Sequence, residues 1–259
     1  MPGNLDAITA ALRGFSDTPS LDARLHAQSG APVSAEEFVR RRKAGEPVSK
    51  ILGRRGFWKG DFIVTPDVLD PRPDSETLIE SVLKCFPDKS RPYRILDIGT
   101  GSGCLLASLL GEYPNAAGVG VDISEKALAV ARKNAHGLPA AFMRKDFAAP
   151  DFARGLGAFD IVVSNPPYIP TAEIAHLEPA VREYDPRAAL DGGADGLEAY
   201  RHLARECPGL LNPDGVAFFE IGRGQGADVR AIFAACGLDF AGAENDLSGI
   251  ERVLMFRRR

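Results

Sequence analysis

Four consecutive residues, Asn165-Pro166-Pro167-Tyr168, lie within the stretch SNPPYIP at 164–170. Two prolines in a row remove two backbone donors and lock two φ angles, so the chain turns a stiff corner that cannot continue a sheet. Phe159 to Ser164 reads as a short buried strand, which puts the corner at its carboxyl end, where open α/β sheets bind ligands. The side-chain oxygen of Asn165 and the carbonyl of Pro166 are both acceptors and could grip the two hydrogens of an –NH₂ group. A planar nitrogen conjugated to a carbonyl or a ring is a poor nucleophile, and it needs orientation more than a strong base. Acceptors held in place favour the pyramidal, partly positive nitrogen of a transition state. Tyr168 would stack on the planar group and complete the slot. By itself the tetrapeptide reads as a tight turn with a packed tyrosine.

A second group stands ahead of it. ILDIGTGSGCLLASLL, 95–110, reads as a buried strand, a glycine turn and an apolar helix. Glycines 99, 101 and 103, with Thr100 and Ser102 between them, let a ligand approach the backbone closely. The dinucleotide fingerprint would need glycine at 104, where Cys104 stands, and the G-K-[ST] of a phosphate loop is absent. Asp122 ends the next strand, 122 − 99 = 23 residues after the first glycine, at the separation that lets an acid hold both ribose hydroxyls. Ile123 follows it, and Asp97 precedes the turn. Asp146, after a third strand, could accept from an adenine amino group while Phe147 stacks on the base. Asp122 or Asp146 alone reads equally well as a helix cap. In order after successive strands they favour a nucleoside without phosphates, which fits S-adenosylmethionine better than a nicotinamide dinucleotide. The glycines, Asp97, Asp122, Asp146 and Phe147 would then face the cofactor. With such a cofactor over the glycine turn, the Asn165 corner becomes an acceptor slot rather than a turn.

The elements that must position these groups change character along the chain. Residues 1–74 read as a small helical unit ending in a hairpin and a proline-rich linker, with apolar residues at helical spacing broken by Pro19 and Gly30-Ala31-Pro32. Ser34 and Glu37 have capping-box spacing. Residues 75–259 alternate strand and helix, with strands expected at 94–98, 118–122, 141–144, 160–164 and 216–221, which implies a parallel doubly wound sheet. Two further strands, 238–241 and 252–256, suit a closing antiparallel hairpin. Glu178 to Arg201 reads as a long acidic loop that could close over a substrate.

Composition agrees with a globular protein: 259 residues, 45% hydrophobic, 25% charged. The opening residues lack a basic-then-apolar signal pattern and there is no long apolar run, so a cytoplasmic protein without a membrane partner is the expectation. Four scattered cysteines and four histidines show no metal spacing, so reduced thiols and no metal are expected. A net charge of −4 argues against a protein that neutralises many phosphates. Arg40 to Lys59 departs from it, with eight basic residues against Glu46, 8 − 1 = +7. A solvated helix face or a docking patch would both account for that stretch.

Over nearly the whole chain, PVSKILGRRGFWKGDFIVTPDVLDPRPDSETLIE, SNPPYIP, EPAVREYDPRAALDGGADGLEAYR and FEIGRGQG resemble the HemK/PrmC-type protein glutamine methyltransferases. The resemblance implies a Rossmann-like class I methyltransferase domain of seven strands behind a helical substrate-docking domain. It implies S-adenosyl-L-methionine as cofactor, contacted by Gly99, Thr100, Gly101, Ser102, Gly103, Asp122, Ile123, Asp146, Phe147 and Asn165, S-adenosyl-L-homocysteine as product, and methylation of the amide nitrogen of the GGQ glutamine in class I peptide-chain release factors. Catalysis would fall to Asn165, Pro166 and Tyr168, and substrate contacts to these with Pro167. Arg72 and Glu76 would support the edge of the site. Asp70 stands where the family usually has an apolar residue, and Lys145-Asp146-Phe147 where it usually has Gly-Asp-Trp. Ribosomal-protein glutamine methylation and adenine N6 methylation of nucleic acid use the same chemistry. A binding module that has lost catalysis is a third alternative, disfavoured by the intact slot.

Overall fold

The structure, a computed structural model, describes residues 2–259. The described chain opens with α1 (Pro2–Leu12), α2 (Pro19–Ser29), α3 (Ala35–Lys43) and α4 (Val48–Leu52). Pro19 starts α2 and Gly30, at φ 63°, ends it. Ser34 Oγ accepts the Glu37 N–H at 3.2 Å, but only half of the expected capping box forms, because the Glu37 carboxylate turns to Arg40 instead. Ile8, Leu12, Ala23, Phe38 and Ile51 form the buried core of this unit.

A hairpin follows, β1 (Arg54–Phe57) and β2 (Gly60–Ile63). Its Phe57 and Phe62 do not join the helical core; they pack with Leu78, Leu105 and Leu109. Trp58 turns the corner at φ 53°, and its N–H is accepted by Glu76 Oε1 at 2.7 Å. A 3₁₀ turn over Pro73–Ser75 leads into α5 (Glu76–Cys85).

The remaining elements are β3 (Arg94–Ile98), α6 (Cys104–Glu112), β4 (Ala117–Asp122), α7 (Glu125–Asn134), β5 (Ala140–Arg144), β6 (Phe159–Ser164), α8 (Pro179–Arg182), α9 (Glu198–Leu210), β7 (Leu211–Glu220), α10 (Gly226–Ala235), β8 (Leu238–Asn245) and β9 (Glu251–Arg258). Seven strands form one sheet in the order β5-β4-β3-β6-β7-β9-β8, parallel except for β9, which runs antiparallel to both neighbours. The chain reverses direction across the sheet between β3 and β6, so the switch point lies beyond Ile98 and Ser164. Alternate residues go to opposite faces. Ile95, Ile161, Val163 and Phe218 meet α5 and α6, while Leu96, Val162, Ala217 and Phe219 meet α9 and α10.

Beyond shifts of a single residue, the strands depart from the sequence expectation in two places. β7 begins five residues early because Phe159 pairs with Leu211 while Ile161 pairs with Val216, leaving a bulge whose Asn-Pro-Asp-Gly sequence reads as a plain turn. The closing hairpin is longer than expected because only 246–250 make its turn, with Asp246 Oδ1 accepting the N–H groups of Ser248 and Ile250 at 2.9 and 3.0 Å.

Glu178 to Arg201 carries α8, a 3₁₀ turn at 187–189 and the start of α9, and it is pinned from within. The buried Asp185 pairs with Lys50 at 3.1 Å and Arg72 at 2.5 Å and accepts the Asp70 N–H. Six of the eight basic residues of the stretch from Arg40 to Lys59 are paired as well. Arg40, Arg41 and Arg42 pair with Glu37, Glu46 and Asp22; Lys50, Arg54 and Lys59 pair with Asp185, Asp61 and Glu112. Among the described residues no helix is long and apolar enough to cross a membrane.

Candidate active site

Two cavities adjoin at the carboxyl ends of β3 and β6, and Asn165 lines both. The first, of about 280 Å³, is floored by the glycine turn from Gly99 to Ser102 and walled by Asp122, Ile123, Phe147 and Asp70. The second, of about 290 Å³, is lined by Tyr168, Glu220, Arg72 and Val181.

The turn beneath the first cavity is stitched to β4: the Gly99 and Thr100 N–H groups both donate to the Val121 carbonyl at 2.9 Å. Gly99 and Gly101 have φ of 71° and 53°, a region that favours glycine. Gly103 shares that conformation at φ 78°, and a Cβ there would also stand 3.0 Å from that of Ala131 on α7. Asp122 accepts the Gly101 N–H on Oδ2 and the Ser124 N–H on Oδ1, each at 2.9 Å. Burial raises its pKa, and these two amides act the other way. Asp97 lies under the turn rather than on the cavity wall: its Oδ2 accepts from the Thr100 hydroxyl at 2.6 Å, and burial pushes its carboxyl up to about 7. Asp146 also stands off the wall, with Oδ1 closing a turn on the Ala148 N–H at 2.8 Å, whereas its neighbour Phe147 reaches the cavity.

The Asn165-Pro166-Pro167-Tyr168 corner divides its residues. Pro167 faces the first cavity, Tyr168 the second, Asn165 both, and Pro166 neither. The corner is braced from behind. Gln225 Nε2 donates to the Tyr168 carbonyl at 2.9 Å, and a Cβ on Gly196 would come within 2.4 Å of that oxygen. The glycines of LDGGADG and the glutamine of FEIGRGQG thus hold the corner. Asn165 Nδ2 donates to Ser75 Oγ at 3.0 Å. Arg72 lines both cavities, while Glu76 stays with the hairpin.

Sequence reasoning passed over Ser75, Asp70 and Glu220 as residues of the site. Glu220 had a signal, an acid ending an apolar strand. Asp70 was noted only as a departure; it is buried, its Oδ2 accepts from Ser49 at 2.5 Å, and its Oδ1 has no hydrogen-bond partner.

Residues 95–184 match the family described as Methyltransferase domain. The chain is 51% identical over 225 residues to a release factor glutamine methyltransferase of Rhodospirillum rubrum, spanning 86% of this chain and 68% of that protein. It is 45% identical over 260 residues to the protein of the same name from Caulobacter vibrioides, spanning 92% and 89%. In fold it is similar to a ribosomal protein L11 methylase of Lactobacillus delbrueckii subsp. bulgaricus, with a TM-score of 0.53 at 19% identity over 79% of this chain and 90% of that one. Identity of this level over most of both chains, on a class I methyltransferase sheet with its two cavities at the switch point, places this protein in the release factor glutamine methyltransferase family.

Proposed function

We propose that this enzyme methylates the side-chain amide nitrogen of the GGQ glutamine in class I peptide-chain release factors, with S-adenosylmethionine as methyl donor. The observation that carries the proposal is Asn165, whose carboxamide is shared by a cavity suited to the cofactor and a second one suited to a planar amide.

The first cavity fits the cofactor on its own chemistry. S-adenosylmethionine carries a sulfonium and an α-ammonium, and the wall presents the carboxylates of Asp122 and Asp70, the latter with an unpartnered oxygen. Asp122 accepts one N–H on each oxygen and has lone pairs left for two ribose hydroxyls. Gly99 and Gly101 hold the floor, and Ile123 and Phe147 offer apolar surface to a base. When bound, the cofactor supplies an electrophilic methyl group.

The chain's own part is orientation. Asn165 Oδ1 and the Pro166 carbonyl accept the two hydrogens of the glutamine –NH₂, and Tyr168 packs on the amide plane. As the nitrogen gains positive character these acceptors bind its hydrogens more strongly, which lowers the barrier. Water is kept off by the pinned 178–201 segment, whose Val181, Ala189 and Leu190 wall the second cavity. We assign residues 75–259 to this chemistry and residues 1–74 to docking the protein substrate, in the cytoplasm where release factors act. Direct nucleic-acid binding has no part in it, and the pairing of most of the basic stretch supports that.

The test is methyl transfer from labelled cofactor to an intact release factor, its GGQ glutamine-to-alanine variant, a ribosomal-protein pool and DNA in parallel. Label on the intact factor alone is expected. Label on DNA or ribosomal protein, with none on the factor, would overturn the substrate assignment.

A further inference from the structure

We propose that Ser75 and Glu220 are positioning residues that decide which end of the Asn165 carboxamide faces the acceptor cavity. The inference rests on the function proposed above. A carboxamide is nearly symmetric in shape, and a half-turn exchanges its acceptor for a donor. Only the oxygen can receive an N–H of the substrate amide; the –NH₂ end would repel it.

Asn165 Nδ2 donates to Ser75 Oγ at 3.0 Å, and Ser75 Oγ donates to Glu220 Oε2 at 2.5 Å. A serine hydroxyl has one hydrogen. With that hydrogen committed to the carboxylate, Ser75 offers Asn165 a lone pair alone, so the amide must present its –NH₂ inward and its oxygen to the cavity. Ser75 and Glu220 are 4% and 1% exposed. The chain joins residues 90 and 145 positions apart. Glu220 is itself anchored, since its carbonyl accepts the buried Tyr200 hydroxyl at 2.8 Å and β7 lies beside β6.

The ionisation of Glu220 should therefore be felt at Asn165. Burial pushes its carboxyl up to about 7, opposed by Ser75 and Arg252. Charged and titratable groups facing it are Asp74, Tyr168, Arg252, Tyr200 and Cys104; burial pushes the two tyrosines and the thiol up, which leaves them neutral near pH 7. Once protonated, Glu220 can donate to Ser75, freeing the serine hydrogen to bind Asn165 Oδ1 and turn the amide the wrong way.

The experiment measures kcat, KM and pH profiles of methyl transfer to the release factor, with cofactor affinity by calorimetry. Ser75→Ala should lower kcat by about 10- to 100-fold, the usual effect of losing alignment at a reacting group, with cofactor Kd within about twofold, since RT ln 2 is a small fraction of a hydrogen bond. Ser75→Thr, which keeps the hydroxyl, should recover most of the loss. Wild-type kcat should rise with pH through about 7, and that limb should vanish in Glu220→Gln, whose side-chain oxygen still accepts from Ser75 without titrating. A Ser75→Ala variant with wild-type kcat would overturn the inference, as would an acid limb that persists in Glu220→Gln; the second arm decides should Ser75→Ala fail to fold. A wild type inactive on the release factor would instead refute the proposed function.

Discussion

Replacing Glu220 with glutamine should raise stability at alkaline pH while changing little at acid pH. Glu220 is buried at the end of β7, and its carboxyl is raised from 4.5 to about 7, chiefly by burial. For a group raised by folding, the native state favours the protonated form. Its contribution is full below the unfolded value, near 4.5, and is lost as pH climbs through 7. At about 1.36 kcal/mol per pH unit, the complete loss is about 3 kcal/mol. Between pH 5.5 and 8.5 the two-pKa linkage expression leaves about 2 kcal/mol of it. Glutamine has no such titration, so the variant should gain about that much relative to wild type across the interval. Asp97, also raised to about 7, titrates in both proteins and cancels in the difference. Urea unfolding at the two pH values measures it: with a slope of about 2–3 kcal/mol/M, the midpoints should separate by roughly 0.7–1 M more at pH 8.5 than at 5.5. A separation that does not change with pH would refute the assignment of the charged carboxylate to a dry site.

Asn165→Ala should lower kcat by about 10²- to 10³-fold, the effect of removing one preorganised partner of the transition state, while calorimetry still detects cofactor binding. Asp122→Ala should weaken cofactor affinity by about 10- to 100-fold, because it removes charge-assisted hydrogen bonds and frees the Gly101 and Ser124 amides; an unchanged Kd would exclude Asp122 from the ribose. Asp185→Ala strands Lys50, whose side chain is 2% exposed, and should cost about 3–5 kcal/mol in denaturant unfolding. The same variant releases Arg72 and the 178–201 segment, so heightened proteolysis there should accompany it.

Hydrophobic periodicity, glycine turns and proline corners are local signals, and they carried most of the architecture. The strand from 94 to 98 was legible to the residue, because its apolar run is bounded by the glycine turn it feeds. That Asn165 and Asp122 line the cavity at the switch point was legible, because Asp122 ends β4 and Asn165 directly follows β6 on the same edge of the sheet. Order across the sheet, and the bulge at 212–215 that lengthens β7, depend on pairing between strands far apart in sequence and leave no local trace. Long-range partners were hidden for the same reason. Nothing in PDSE says that Ser75 stands between Asn165 and Glu220, and a +7 stretch could not be known as largely paired until Asp22, Asp61, Glu112 and Asp185 came to meet it. The sequence by itself determined the elements and the chemical types at the switch point. Tertiary structure alone decided which way the Asn165 amide is turned and which charges are free, because hydrogen bonding and ion pairing depend on distance in space, and folding sets that distance independently of separation along the chain.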